Sequence, residues 1–305
     1  MIVFGPVPSR RLGKSLGVNN IPYKICTYSC VYCQVGRTRK MIIERQKFYS
    51  VSEIVGEVKR KLNTEPDYVT FVPDGEPTLD INLGKAAACI KDLGVKVAVI
   101  TNSSLLWMGD VREDLSVFDF VSVKIDAVTR EKWRKINRPH PDLKLERILD
   151  GIVEFRDEYE GVFVTETMLV DALTTEDEIR KIAEIVGTLN PHKAYLSIPI
   201  RPPAEKWVKV PSEEFVMRAY EIFSSYADTA LNTGFEGTDF LIGEEFEKEI
   251  LSIAAVHPIR EDALRDIMRR YGVGEDRVQS LIDKGLLKRI EYSGRIFYIR
   301  GWNAR

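Results

Sequence analysis

Three cysteines, Cys26, Cys30 and Cys33, fall within eight residues in the segment ICTYSCVYCQ. Thiolates are soft ligands that favour iron–sulfur clusters, zinc or copper(I). The C-x3-C-x2-C spacing suits three corners of a [4Fe–4S] cube and leaves one iron open. A structural zinc site normally takes a fourth Cys or His. The remaining candidates are Cys89, in AAACIKDLG, and His140, His192 and His257, none of them close in sequence. Zinc completed by a distant His is one alternative. Three unligated core cysteines are another, although Thr27, Tyr28, Ser29 and Gln34 around them make the segment a polar loop.

A loop of this kind needs a scaffold. The protein has 305 residues, 44% hydrophobic, 30% charged and 10% aromatic, enough apolar material for a sizeable core and too much for global disorder. No run of about 18 uncharged apolar residues occurs, and no long apolar stretch follows a basic start, so neither a membrane span nor a signal peptide is expected. The protein reads as soluble and cytoplasmic. After an irregular N-terminal segment, helical spacing covers 51–62, 80–93, 129–136, 144–158, 175–189 and 212–225. β-rich apolar runs fall between them at 68–72, 95–101, 118–125, 162–170 and 194–200. Strands separated by roughly 10–15-residue helices predict βαβ units and a parallel sheet. The fold class is α/β, and five or six such repeats suggest a full or partial (β/α) barrel, between which periodicity does not choose. Cys89, beside Ala86, Ala87 and Ala88 on the predicted helix, reads as a small core residue.

The cysteine triplet, with the aromatic Tyr32 just before the last Cys, resembles the signature of radical S-adenosylmethionine (radical SAM) enzymes over residues 15–235. The resemblance implies a [4Fe–4S] cluster on the three cysteines, SAM chelated by the open iron, and an external electron donor of the ferredoxin or flavodoxin type. It also implies cleavage of SAM to a 5′-deoxyadenosyl radical that abstracts hydrogen from a substrate. The site is then expected at the C-terminal ends of the barrel strands. Asp74-Gly75-Glu76-Pro77 stands where the family has a Gly-Gly-Glu-type motif contacting SAM's amino group, with Asp74 in place of the first Gly. Gly75 allows close backbone approach, and Glu76 can accept from an ammonium. Asn102 and Ser103 end the next strand and are candidates for SAM's carboxylate or ribose. Lys124 and Asp126 point to one side at period two, and Ile198 lies in a segment resembling the late strand that supports adenine. Glu166 and Met168 share a face that would line a substrate space. For Lys124 with Asp126, for Glu166 with Met168 and for the Ile198 segment, core packing or surface ion pairing is an alternative. The segments at 5–14, 30–38 and 74–79 resemble a radical SAM subgroup often grouped with wyosine-type tRNA-modifying enzymes. With Cys89 alone outside the triplet, this chain cannot supply a second multi-cysteine cluster.

Composition shifts near residue 240, which predicts domains at 1–240 and 241–305. Residues 244–255, 259–271 and 275–284 read as helices. Two strands at 286–292 and 295–300 then flank Ser293-Gly294, a good two-residue hairpin turn. The pattern resembles a winged-helix module over about 60 residues. Residues 1–45 carry a net charge of +7 and residues 258–305 of +4, around a middle of −13. Arg10, Arg11, Lys14, Lys24, Arg37, Arg39 and Lys40 are candidates for a phosphate-binding rim, as are Arg269, Arg270, Arg277, Lys284, Lys288, Arg289 and Arg295 in the C-terminal module. Ordinary surface charge is the alternative for both sets. Three functions are compatible with these features: a radical SAM enzyme acting on RNA, notably tRNA; the same chemistry on a protein or peptide; or a cluster-based redox sensor that binds nucleic acid.

Overall fold

The computed structural model describes residues 2–234, 240–241 and 245–301. Each of the five β-rich runs becomes a strand, and each is followed by a helix. The N-terminal half comprises β1 (Val3–Ser9), β2 (Gly13–Val18), β3 (Ile25–Cys26), β4 (Lys40–Met41), α1 (Val51–Lys61), β5 (Tyr68–Phe71), α2 (Leu83–Lys91), β6 (Lys96–Thr101), α3 (Gly109–Ser116) and β7 (Phe120–Lys124). There follow α4 (Arg130–Ile136), α5 (Leu145–Glu158), β8 (Val162–Met168), α6 (Glu176–Leu189), β9 (Lys193–Ser197), α7 (Glu213–Ser224) and β10 (Thr229–Asn232). The last elements are α8 (Phe246–Val256), β11 (Ile259–Arg260), α9 (Glu261–Tyr271), α10 (Glu275–Asp283), β12 (Leu287–Tyr292) and β13 (Arg295–Arg300).

Eight strands form one sheet in the order β1-β2-β5-β6-β7-β8-β9-β10, antiparallel between β1 and β2 and parallel thereafter. Alternate residues explain its two faces. Val97, Val99, Val121, Val123 and Phe163 are buried in the large core under the helices, while Ala98, Phe120 and Val164 pack with Leu12 in a smaller inner cluster. The sheet curls, because Arg10 in the β1–β2 turn donates to the carbonyls of Asn232 and Gly234 beside β10 (2.6 Å each). Among the described residues no ladder joins β1 to β10, so the sheet stays open.

The N-terminal segment is a correction to the sequence reading. It is a β-hairpin rather than irregular chain, hidden by Gly5, Pro6 and Pro8. These residues are tolerated because β1 is an edge strand and breaks register between Phe4 and Val7. Cys89 is exposed, not a core residue. The buried stripe of α2 runs through Leu83, Ala86, Ala87 and Ile90, and Cys89 falls off it.

After β10, α8, α9 and α10 pack on a three-stranded antiparallel sheet of order β11-β13-β12. Ser293 (φ 48°) and Gly294 (φ 70°) make the expected tight turn. These elements bury a second apolar cluster that includes Ile250, Ile253, Leu264, Ile267 and Leu281, and it also takes in Phe4 and Val7 of β1. The helix start expected at residue 244 lies outside the described residues. Among the described residues no helix is long and apolar enough to cross a membrane.

Candidate active site

Cys26 ends β3, and Cys30 and Cys33 sit on the loop between β3 and β4, which is laced to its surroundings through the main chain. Ser29 N donates to Asn137 O (3.0 Å) and Val31 N to Ile136 O (2.9 Å), tying the loop to the end of α4. Ile42 N donates to Cys26 O (3.2 Å), and Glu76 N to Ile25 O (3.2 Å). The last contact brings the Asp-Gly-Glu segment against β3 so closely that a Cβ on Gly75 would lie 1.9 Å from Ile25 O. Glycine is therefore required here by space, as the close-approach reading of the motif expects.

Each cysteine sulfur faces a side-chain N–H. Lys24 Nζ lies 3.3 Å from Cys33 Sγ, Asn102 Nδ2 3.6 Å from Cys26 Sγ, and Asn137 Nδ2 3.5 Å from Cys30 Sγ. Burial pushes the Cys26 and Cys30 thiols up to about 12, with Glu76 adding to the rise at Cys26 and Asp126 at Cys30. Thiols in such a setting become thiolates when a cation binds them. Among the described residues no three His, Cys, Asp or Glu side chains gather as a single-ion site. The donor set, three sulfurs each with its own N–H, fits a group that spreads its ligands over several irons.

The strand ends beneath this loop are held by Glu76. Its Oε1 accepts from Thr78 N (3.2 Å), Thr78 Oγ1 (2.7 Å) and Thr101 Oγ1 (2.6 Å), and its Oε2 accepts from Asn102 N (2.8 Å). Burial raises its pKa, and these hydrogen bonds oppose the rise. Asn102 also donates through Nδ2 to Thr27 Oγ1 (2.8 Å), and Ser104 Oγ reaches the same hydroxyl (2.7 Å). Ser103, at φ 69°, exchanges hydrogen bonds with the main chain of Lys124, its Oγ accepting from Lys124 N (2.9 Å). Its hydroxyl thus stitches β6 to β7.

Around β7 and β8 lies a buried polar network. Tyr32 donates its hydroxyl to Asp126 Oδ2, which also accepts from Asn137 Nδ2 (2.7 Å), while Asp126 Oδ1 accepts from Met168 N (2.9 Å). Lys124 Nζ is 3.1 Å from Glu166 Oε1 and lies over the Tyr32 ring. Burial would lower the Lys124 pKa, but Glu166 and Asp126 outweigh it and hold the ammonium charged. Burial would likewise raise Glu166, but Arg11 and Lys124 beside it hold its carboxyl well below the usual range.

The structure thus brings together Cys26, Cys30, Cys33, Tyr32, Gly75, Glu76, Asn102, Lys124 and Asp126. Ile198 is half-buried against the main core just beyond β9. Lys24 and Asn137 were not singled out as site residues by their sequence context. Lys24 reads there as one of several loop cations, and Asn137 as the residue just past the helical spacing at 129–136. Of the N-terminal cations, Arg11 is spent on Glu166, Lys14 on Thr64 O, Lys24 on Cys33 and Arg37 on Glu205. The rim of the site meets the C-terminal elements. Gln34 Nε2 donates to Val256 O (3.1 Å), Arg201 Nη1 donates to Gln34 Oε1 (2.7 Å), and Tyr292 donates its hydroxyl to Pro199 O (2.8 Å).

Comparison with known proteins accords with this geometry. The Radical SAM superfamily profile matches residues 20–186. A UPF0026 protein of Methanocaldococcus jannaschii is 47% identical over 312 residues, covering 100% of this chain and 97% of that protein. A UPF0026 protein of Synechocystis is 38% identical over 202 residues, covering 66% of this chain and 76% of its own. Among solved structures, Streptococcus suis SuiB bound to S-adenosylmethionine superposes with a TM-score of 0.54 at 12% identity, covering 71% of this chain and 50% of that one, a likeness of fold. The chain belongs to the radical SAM superfamily, whose members use a [4Fe–4S] cluster and SAM.

Proposed function

We propose that this radical SAM protein is an enzyme that holds a [4Fe–4S] cluster on Cys26, Cys30 and Cys33 and modifies an RNA, with tRNA the first candidate. When bound, the cluster and SAM supply one-electron cleavage of the sulfonium and a 5′-deoxyadenosyl radical that takes hydrogen from substrate. The observation that carries the reading is the convergence of the three cysteines over the C-terminal ends of β5, β6 and β7, with an N–H beside every sulfur.

The chain's own residues would then divide the work. Gly75 lets the motif backbone press against β3, and Glu76 fixes that backbone to Asn102, so SAM's amino and carboxylate groups would meet a rigid rim. Asp126, held by Tyr32 and Asn137, and Lys124, held by Glu166, would border SAM's ribose or the substrate. Ile198 would lie against adenine. The electron would come from a ferredoxin- or flavodoxin-type donor.

Support for a nucleic-acid substrate comes from residues 241–305. Three helices, the strand order β11-β13-β12 and a terminal hairpin support reading this part as a winged helix, and it touches Gln34, next to the last cysteine. The Arg269 side chain on α9 is 80% exposed and only loosely paired, at 3.8 Å, with Asp266, so a phosphate could compete for it. A second reading, a protein or peptide substrate, is favoured by the internal use of Arg11, Lys14, Lys24 and Arg37.

The test is anaerobic reconstitution with iron and sulfide, dithionite reduction, and assay for 5′-deoxyadenosine from added SAM, first alone and then with tRNA or protein extracts. Formation of 5′-deoxyadenosine that rises with tRNA is the expected result. A preparation that binds zinc and forms no cluster would overturn the catalytic reading, and stimulation by protein alone would overturn the RNA assignment.

A further inference from the structure

We propose that Lys24, Asn102 and Asn137 are redox-positioning residues that raise the reduction potential of the cluster held by the three cysteines. The proposal rests on reading those cysteines as cluster ligands.

The three donors come from three separate parts of the fold and reach one sulfur each. Lys24 precedes β3, Asn102 follows β6, and Asn137 caps α4. Lys24 is 2% exposed and Asn137 3%, so both have left water to reach sulfur. Burying a lysine is costly unless a negative partner meets it. Its hydrogen-bond acceptor is Cys33 Sγ at 3.3 Å, and the buried Asp74 carboxyl also attracts it. The backbone also commits to this placement, because Lys24 holds the left-handed φ of 56°. Asn137 divides its amide between Cys30 Sγ (3.5 Å) and Asp126 Oδ2 (2.7 Å). Asp126 in turn is fixed by Tyr32 and Met168 N. Asn102 is fixed by Thr27 and by its own main-chain bond to Glu76.

The electrostatic consequence is direct. Reduction takes one electron from the external donor and leaves the cluster with its thiolates one unit more negative. A fixed ammonium and N–H dipoles aimed at the sulfurs interact more favourably with the reduced form than with the oxidised one. They therefore ease an electron transfer that two nearby carboxylates, Glu76 bonded to Asn102 beside Cys26 and Asp126 bonded to Asn137 beside Cys30, would otherwise hinder. Of the three donors only Lys24 carries a full charge, so it should have the largest effect.

The experiment compares wild type with Lys24→Met, Lys24→Arg and Asn137→Leu after anaerobic reconstitution. Iron and sulfide content is measured first, and the midpoint potential is then read by an EPR-monitored redox titration without SAM. Poised at the wild-type midpoint, the ratio of reduced to oxidised cluster should fall roughly tenfold or more in Lys24→Met. It should fall less in Asn137→Leu and return toward wild type in Lys24→Arg. Asn137→Leu gives an independent reading should Lys24→Met load poorly. A wild type that takes up no cluster would refute the ligand assignment itself. Loaded variants that keep the wild-type midpoint would overturn this proposal alone.

Discussion

Gly75→Ala is the sharpest single test of how the site is assembled. The added Cβ would sit 1.9 Å from Ile25 O and 3.0 Å from Ile21 Cγ2. The first is a backbone atom of β3 that cannot rotate away, so the Asp-Gly-Glu segment and β3 must separate by about an ångström to restore ordinary contact. That separation breaks the Glu76 N to Ile25 O bond (3.2 Å) and moves the residue next in sequence, Cys26. Overpacking of this kind costs about 1–3 kcal/mol. If the strain falls on the site, SAM affinity should drop by roughly one to two orders of magnitude, because 1.4 kcal/mol is tenfold. The assay is equilibrium SAM binding to the anaerobically loaded protein, with iron content and thermal midpoint measured alongside. Wild-type affinity, wild-type iron and an unchanged midpoint together would show that β3 and the motif do not meet as described.

Other outcomes follow from the same geometry. Cys30→Ala should abolish stable cluster formation, and iron remaining near about four per chain would remove Cys30 from the ligand set. Asp80 is raised by burial to about 6, above the ordinary aspartate value of about 3.9, so between those values the folded chain holds a proton that the unfolded chain has released. The stability from that proton is fully present below about pH 4 and is lost as pH rises through about 6. In urea denaturation across that range Asp80→Asn should lose less stability with rising pH than wild type, and parallel curves would deny the shift. Truncation after Phe240 should lower the thermal midpoint, because it strips the cover from Phe4 and Val7, each worth about 1.5–3 kcal/mol when fully buried; an unchanged midpoint would show that β1 does not need the module. Arg269→Glu with Arg289→Glu should weaken tRNA retention and flatten its salt dependence, and an unaltered salt slope would exclude those arginines from the contact.

Residue periodicity makes the central strands legible because they are buried on both faces, so continuous runs such as Val97–Val99 and Val121–Val123 announce themselves. The edges were not legible. β1 is interrupted by prolines that only an edge strand admits, and β10, Thr-Ala-Leu-Asn, is short and partly exposed. The short helix α3 also escaped notice, having no side-chain cap and few buried residues. At the site, the cysteine spacing and the Gly-Glu pair were readable because local geometry demands those residue types. The roles of other residues depend on distant partners. Lys24 has the same sequence signature as an exposed loop lysine, and nothing local says that it turns inward to Cys33. Asn137 meets Cys30 across 107 positions of chain. Glu76 was legible as a functional acid, yet the Thr101 hydroxyl and Asn102 N–H that engage it come from the next strand.

The contacts of the C-terminal module bear on how substrate and site are related. Its apolar cluster is completed by Phe4 and Val7, its helix α8 is tied through Glu249 to Lys61 (2.7 Å), and its hairpin reaches Pro199 beyond β9. It therefore grips both the β1 edge and the far end of the same curled sheet. Between these anchors it holds Gln34 through Val256 O, and Arg201 holds the other end of that amide. Gln34 immediately follows Cys33, so a shift of the module is felt one residue from a cysteine sulfur. A polymer bound to the module would accordingly lie beside the cysteine loop, and any movement it imposed would travel through two hydrogen bonds of a single side chain. On this geometry Gln34→Ala should leave module and sheet folded while uncoupling them: SAM affinity should stay near wild type, and the stimulation of 5′-deoxyadenosine formation by substrate should fall. Equal stimulation in Gln34→Ala and wild type would show that the Gln34 contacts carry no coupling between the module and the loop.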